Sequence, residues 1–248
     1  MKSLVEAAGT IGANVDDTQI ERFRRYRELL NESGRRINLT AVKDPEAVVE
    51  QLFIRSFRIA VPAGGNVSTA EWFEGRRIID IGSGAGIPGL PLKIILPGIE
   101  VTLLESNGKK CDFLRHVVSE LGIQGVTVLN SRAEDAGRLK EHRESYDLVT
   151  ARGVAKLPLL AEFTLPFLKL GGVAVLPKGH DPRAVQCEVD DASFAANELG
   201  AAPAIIQPVA HPGASPMDHI IYWLKVQPTK DRYPRRPGIP AKRPLSAD

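Results

Sequence analysis

Two kinds of hydrophobic pattern divide the chain. Up to about residue 62 the apolar positions keep helical spacing. Ile20, Phe23, Tyr26 and Leu30 recur along residues 17–30 with Gly34 as a stop, and Asp44 as N-cap with Pro45 in the first turn announces a second helix that runs through Phe57. Residues 62–75 read as a loop. From Arg76 onward short apolar runs alternate with amphipathic stretches, which predicts an α/β fold with a mostly parallel sheet covered on both faces. Strands are expected at 77–81, 101–104, 126–129, 147–150 and 173–176, the last entered through a Gly171-Gly172 turn. Helices are expected at 90–96, at 109–121, around 159–168, and from Asp181-Pro182 onward. Two last β-prone runs, 204–209 and 219–226, are separated by a Pro/Gly loop with no helix, the pattern of an antiparallel hairpin at a sheet edge. The chain is thus expected to hold a helical extension (1–62), a Rossmann-like domain with a seven-stranded sheet (63–227) and a basic, Pro-rich tail (228–248).

Composition narrows the class. With 248 residues, 43% hydrophobic and 25% charged, the chain buries a core of ordinary size. No stretch approaches the roughly 18 apolar residues of a membrane span and no apolar run follows Lys2, so a cytoplasmic protein without a membrane partner is expected. Cys111 and Cys187 are the only cysteines and the five histidines are scattered. No spacing suits zinc or a disulfide framework; no metal is expected, and both thiols read as small core residues. The formal charge of +2 is too near neutral to argue for nucleic acid, but basic residues gather at both ends, from Arg22 to Arg36 and from Lys230 to Arg243.

The candidate chemistry lies at successive strand ends. Ile78-Ile79-Asp80-Ile81-Gly82-Ser83-Gly84-Ala85-Gly86 sets glycines directly after a buried strand and before a helix, where only glycine lets the backbone turn sharply and come close to a ligand. Gly84, Gly86 and Gly89 also spell the dinucleotide fingerprint, but the strand ends too early and Pro88 lies inside it, which is the wrong register for a nicotinamide cofactor. The register that fits is the first motif of S-adenosylmethionine enzymes, with Asp80 orienting the amino-acid end of the cofactor. Glu105, ending the next strand, suits two ribose hydroxyls, and Ala133-Glu134 after the third suits an adenine amino group. Arg152, after the fourth, reads either as a holder of phosphate or cofactor carboxylate, or as a salt-bridge partner of Asp80 or Glu134.

Further segments make the resemblance close. Asn38-Leu39-Thr40, the glycine loop prolonged by Ile87-Pro88-Gly89, Lys109-Lys110, Ser131-Arg132-Ala133-Glu134, Ala151-Arg152-Gly153-Val154-Ala155, Pro177-Lys178-Gly179 and the tail from Tyr233 to Leu245 follow one another in order. Together they resemble the RsmG (GidB) family of bacterial 16S ribosomal RNA guanine methyltransferases. The resemblance implies a class I S-adenosylmethionine-dependent methyltransferase fold and cofactor contacts at Gly82, Ile87, Ala133, Glu134 and Arg152, beside Asp80, Gly84, Gly86 and Glu105 read from the motif. It also implies a product of 7-methylguanosine in the 530 loop of 16S rRNA, made on 16S rRNA or the 30S subunit; a monomer is expected. Guanine N7 carries a free lone pair, so in-line attack on the sulfonium methyl requires alignment and no general base, and Arg152 is the one catalytic candidate. Lys109, Lys110, Arg132, Lys178, Arg235, Arg236 and Lys242 are the candidates for RNA phosphates. The chain departs from the family pattern where Arg55-Ser56 stands for Asp-Ser, Asp218-His219 for Arg-His, Leu52 for His and Gly153 for Ala. Two alternatives remain at this level: a methyltransferase of a small molecule or protein, indifferent to loss of the tail, and a cofactor- or ribosome-binding module without turnover.

Overall fold

The computed structural model describes residues 1–34, 37–60, 69–179, 181–209 and 218–246. At the N-terminus, α1 (Lys2–Thr10) was not expected from the sequence; it forms because Leu4, Ala7 and Ala8 share one face and bury it. The next helix, α2 (Asp17–Gly34), buries Phe23, Tyr26, Leu29 and Leu30 as its period predicts. Asp44 caps α3 (Pro45–Val48) by accepting from the amides of Glu46 and Ala47. The chain then continues through a π-helical segment, Val49–Ile54, and a 3-10 turn, Phe57–Ala60, in place of one regular helix. Within the expected loop, Thr69–Phe73 is helical (α4), anchored by buried Phe73.

The strands are β1 (Arg77–Ile81), β2 (Glu100–Glu105), β3 (Val126–Asn130), β4 (Tyr146–Ala151), β5 (Leu168–Gly179), β6 (Ile205–Pro208) and β7 (Asp218–Leu224). They form one sheet in the order β3-β2-β1-β4-β5-β7-β6, parallel except that β7 runs antiparallel between β5 and β6. The antiparallel edge is therefore present, and the Pro/Gly loop assigned to it falls at 210–217, outside the described residues. Gly171-Gly172 does not open β5: that strand already pairs at Leu168 with Tyr146, and the chain bulges before pairing resumes at Val173. Helices α5 (Gly89–Ile95), α6 (Gly108–Glu120), α7 (Ala133–Ala136), α8 (Leu157–Thr164) and α9 (Pro182–Glu198) connect the strands, and a short α10 (Ile239–Lys242) lies in the tail.

Both faces of the sheet are covered, and the extension contributes to one of them. Phe23, Tyr26, Phe53 and Phe57 belong to the same apolar cluster as Ile78, Leu90, Leu103 and Leu114. The aromatic rings of Phe23 and Phe53 lie 5.2 Å apart. Cys111 is buried as expected, but Cys187 is exposed. It lies two residues beyond buried Val185 on α9, which turns it to the opposite face. Among the described residues no helix is long and apolar enough to cross a membrane.

Candidate active site

The turn after β1 is held by buried carboxylates that bond backbone amides. Asp80 Oδ2 accepts from the amide of Gly89 at 3.0 Å and so ties the strand end to the start of α5. Glu105 accepts from Gly84 through Oε2 at 3.0 Å and from Asn107 through Oε1 at 2.8 Å. Tyr26 of the extension donates its hydroxyl to the carbonyl of Ala85, closing the loop from outside. Gly82 takes φ +67°, and a Cβ there would stand 2.7 Å from Val154 Cγ2. That glycine answers a close approach of the chain after β4 as much as it leaves room for a ligand. Asp80 is fully buried and Oδ1 has no partner among the described residues. Burial pushes its carboxyl up to about 7, against the opposing pull of the Gly89 amide, Ser83 and Arg152.

Beside this turn is a small cavity of about 100 Å³ lined by Gly82, Leu104, Ser131, Glu134, Val154 and Phe163, with Arg132 and Ala133 at its wall. It brings together Gly82, Ala133 and Glu134 as the sequence suggested. Asp80, Gly84, Gly86, Ile87 and Glu105 lie outside its lining, in the turn and the strand ends around it. Val154 and Phe163 were missed as wall residues; Phe163 has no local sequence signal, since only the packing of α8 brings it there. Glu134 is buried, and its Oε1 accepts from the amide of Gly238 at 3.1 Å.

A second cavity of about 290 Å³ opens at the ends of β4, β5 and β7, lined by Arg55, Arg58, Arg152, Lys178, Asp218 and His219. Arg58 pairs with Asp218 at 2.7 Å and Arg55 with the same oxygen at 3.4 Å. Lys178 is matched by Glu188 at 2.9 Å. Two guanidinium groups thus pair with the Asp218 carboxylate and that of Arg152 lines the same concave site, which is rich in positive charge. Arg152 forms no salt bridge with Asp80 or Glu134. Instead Nη2 donates to the Gln51 carbonyl at 2.8 Å and buried Nη1 has no partner among the described residues. Burial, then the charges of Arg55 and Arg58, hold this guanidinium down to about 10. Two departures from the family pattern, Arg55 and Asp218, meet here as one ion pair, an acid facing a base.

The proposed phosphate contacts divide. Lys109 and Arg132 are exposed, as are Arg236 and Lys242 in the tail, while Lys110 is half-buried. Arg235 is not available: its backbone amide, Nε and Nη2 all donate to Glu162, at 2.6 to 3.1 Å. Glu162 is only 1% exposed and requires a cation, so Arg235 is a structural pin. Lys178 is likewise neutralised by Glu188 although it reaches the cationic cavity.

The residues present fit S-adenosylmethionine. An amino-acid zwitterion needs one acid and one base, and the buried atoms without a hydrogen bond among the described residues include Asp80 Oδ1 and Arg152 Nη1. Each carboxylate oxygen of Glu105 and Glu134 that bonds a backbone amide retains a second lone pair for hydroxyl or amino donors.

Comparison with known proteins gives a consistent result. A family model described as rRNA small subunit methyltransferase G, GidB, matches residues 19–203. A ribosomal RNA small subunit methyltransferase G of Roseiflexus sp. (strain RS-1) is 44% identical over 245 residues, covering 99% of this chain and 100% of the relative. That of Chloroflexus aggregans is 41% identical, covering 98% and 97%. Among solved structures, a predicted O-methyltransferase of Agrobacterium tumefaciens superposes with a TM-score of 0.51 at 19% identity, over 69% of this chain and 81% of that one. A point mutant of MtNAS in complex with S-adenosylmethionine does so with a TM-score of 0.51 at 16% identity, over 85% and 72%. These two likenesses concern the fold.

Proposed function

Because the chain belongs to the rRNA small subunit methyltransferase G family, we propose that it methylates N7 of a guanine in the 530 loop of 16S rRNA, in free RNA or the 30S subunit. The observation that carries this reading is the pair of cavities flanking the C-terminal end of β4, one lined by the carboxylate of Glu134, the other by guanidinium groups. Bound S-adenosylmethionine supplies an electrophilic methyl on sulfur. Gly82, Ala133 and Glu134 hold its nucleoside, with Glu105 accepting from the ribose and Gly84, Gly86 and Ile87 shaping the turn against it. Asp80 and Arg152 take the amino-acid end. The cationic cavity receives the acceptor nucleotide, with Arg55 and Arg58 beside its phosphodiester and Arg152 at the seam between the two sites. N7 offers its lone pair directly, so these residues align and neutralise, and none has to remove a proton. Lys109, Lys110, Arg132, Arg236 and Lys242 add phosphate contacts outside the cavity. The reading needs neither a metal nor a second copy of the chain, and we place it in the cytoplasm with its ribosomal substrate.

The test is transfer of labelled methyl from S-adenosylmethionine to unmethylated 30S subunits and 16S rRNA, with chemical cleavage at 7-methylguanosine to map the product. One labelled guanine in the 530 loop is expected. Transfer elsewhere, or none while cofactor binding is intact by calorimetry, overturns the assignment.

A further inference from the structure

The contact between Glu134 and Gly238 joins residues 104 positions apart, and it is the end point of a fixed path. The tail is tacked to the domain from its first residues. Thr229 donates to Glu144 at 2.7 Å, Arg143 donates to the carbonyls of Thr229 and Tyr233 at 2.6 and 2.7 Å, and Tyr233 is buried. Pro234 lies so close to α7 that a Cβ on Gly137 would stand 3.1 Å from its ring. The buried Arg235–Glu162 pair at 2.7 Å then fixes the chain just before Gly238. Gly238 adopts φ +82°, a backbone that side chains other than those of Asn and Asp rarely take, and so presents its amide to Glu134 Oε1. On the other side of this contact, Glu134 sits in α7, a helix of only four residues that cannot orient a side chain by its own stability. Its second oxygen, Oε2, has no hydrogen bond among the described residues, although Glu134 lines the nucleoside cavity.

We propose that the tail from Thr229 to Gly238 is a positioning strap for the cofactor's adenine: the Gly238 amide fixes one oxygen of Glu134 so that the other meets the exocyclic amino group. A carboxylate locked in this way discriminates an amino group from a carbonyl at that ring position, because the amino group donates and the carbonyl repels. This rests on the assignment of Glu134 to the adenine. Arg235 and Gly238 are positioning residues, acting through Glu134.

Calorimetric titration with S-adenosylhomocysteine and S-inosylhomocysteine, which carries oxygen in place of the amino group, tests it on the full chain. The native protein should prefer the adenosyl compound by about tenfold or more. Gly238→Pro removes the amide donor and the left-handed backbone; adenosyl affinity should fall about tenfold while inosyl affinity stays within about twofold. Gly238→Asn keeps the amide and tolerates the backbone, and should keep the preference. A chain ending at Arg236 provides the same readout if the proline variant is poorly folded. Equal loss of both affinities, or no change, overturns the strap. A native protein without any preference overturns the adenine assignment itself, and the strap with it.

Discussion

The two cavities on either side of β4 are built in opposite ways. On the cofactor side, Asp80 and Glu105 are short acids, buried and bonded to backbone amides of the loops after β1 and β2, so the geometry is set by main chain. On the acceptor side, Arg55, Arg58 and Arg152 are long bases drawn from two segments far apart in the chain; the first two pair with Asp218 and the third is held by the Gln51 carbonyl. The difference teaches where each site is vulnerable. A backbone-bonded carboxylate tolerates little change, whereas a set of arginines tolerates exchange of partners as long as the charges balance.

The strongest test of that contrast is Asp218→Arg, which would set a fourth cation against the three arginines. Loss of a buried pair of this kind costs about 3 kcal/mol or more, so the melting temperature should drop by several degrees. Adding Arg55→Asp, which restores a pair with the opposite polarity, should regain a large part of the loss; a double variant no more stable than the single one would break the idea that these arginines tolerate an exchange of partners. Next in size, Arg152→Gln should lower transfer to 30S subunits about 100-fold, with a smaller loss of S-adenosylhomocysteine affinity, of about tenfold, measured by calorimetry. An unchanged transfer rate would remove Arg152 from the seam between the sites.

The smallest effect is on pH, and it belongs to the cofactor side. Asp80 faces the Gly89 amide, Arg152, Glu105 and Tyr26, and burial keeps its folded carboxyl at about 7, above its ordinary value. A raised acid contributes stability that is fully present below the unfolded value and is lost as pH rises through the folded one, so Asp80 progressively destabilises the free protein between about pH 4 and 7. Binding of the cofactor's ammonium requires the ionised form, so affinity should rise about tenfold from pH 6 to pH 8, with proton release at the lower pH. Asp80→Asn should abolish both trends; a titration flat in pH in the native protein would show that Asp80 does not receive the ammonium.

Much of the cofactor side was legible because its parts are local. A strand followed by glycines, an acid closing the next strand, and Ala133-Glu134 after the third are each decided within a few residues, and parallel pairing in register lines up their ends. Arg152 was legible for the same reason, as the residue after β4. The tail misled because charge alone does not reveal a partner. Arg235 reads like Arg236 until the fold supplies buried Glu162, and Lys178 reads as free until Glu188 comes alongside. Phe163 and Val154 could not be seen as cavity walls without the crossing of α8 and the chain after β4.

The sequence by itself determined the α/β class, nearly every strand, the glycine turn and the carboxylates at the strand ends, since each depends on periodicity and on backbone conformations available only to particular residues. Only the tertiary structure decided which charges are spent on one another, that Arg55 and Asp218 form one pair, and that the tail returns to Glu134. Those facts depend on contacts between distant segments. Their energies come from burial and from charges brought within a few ångströms, quantities that no local stretch of chain contains.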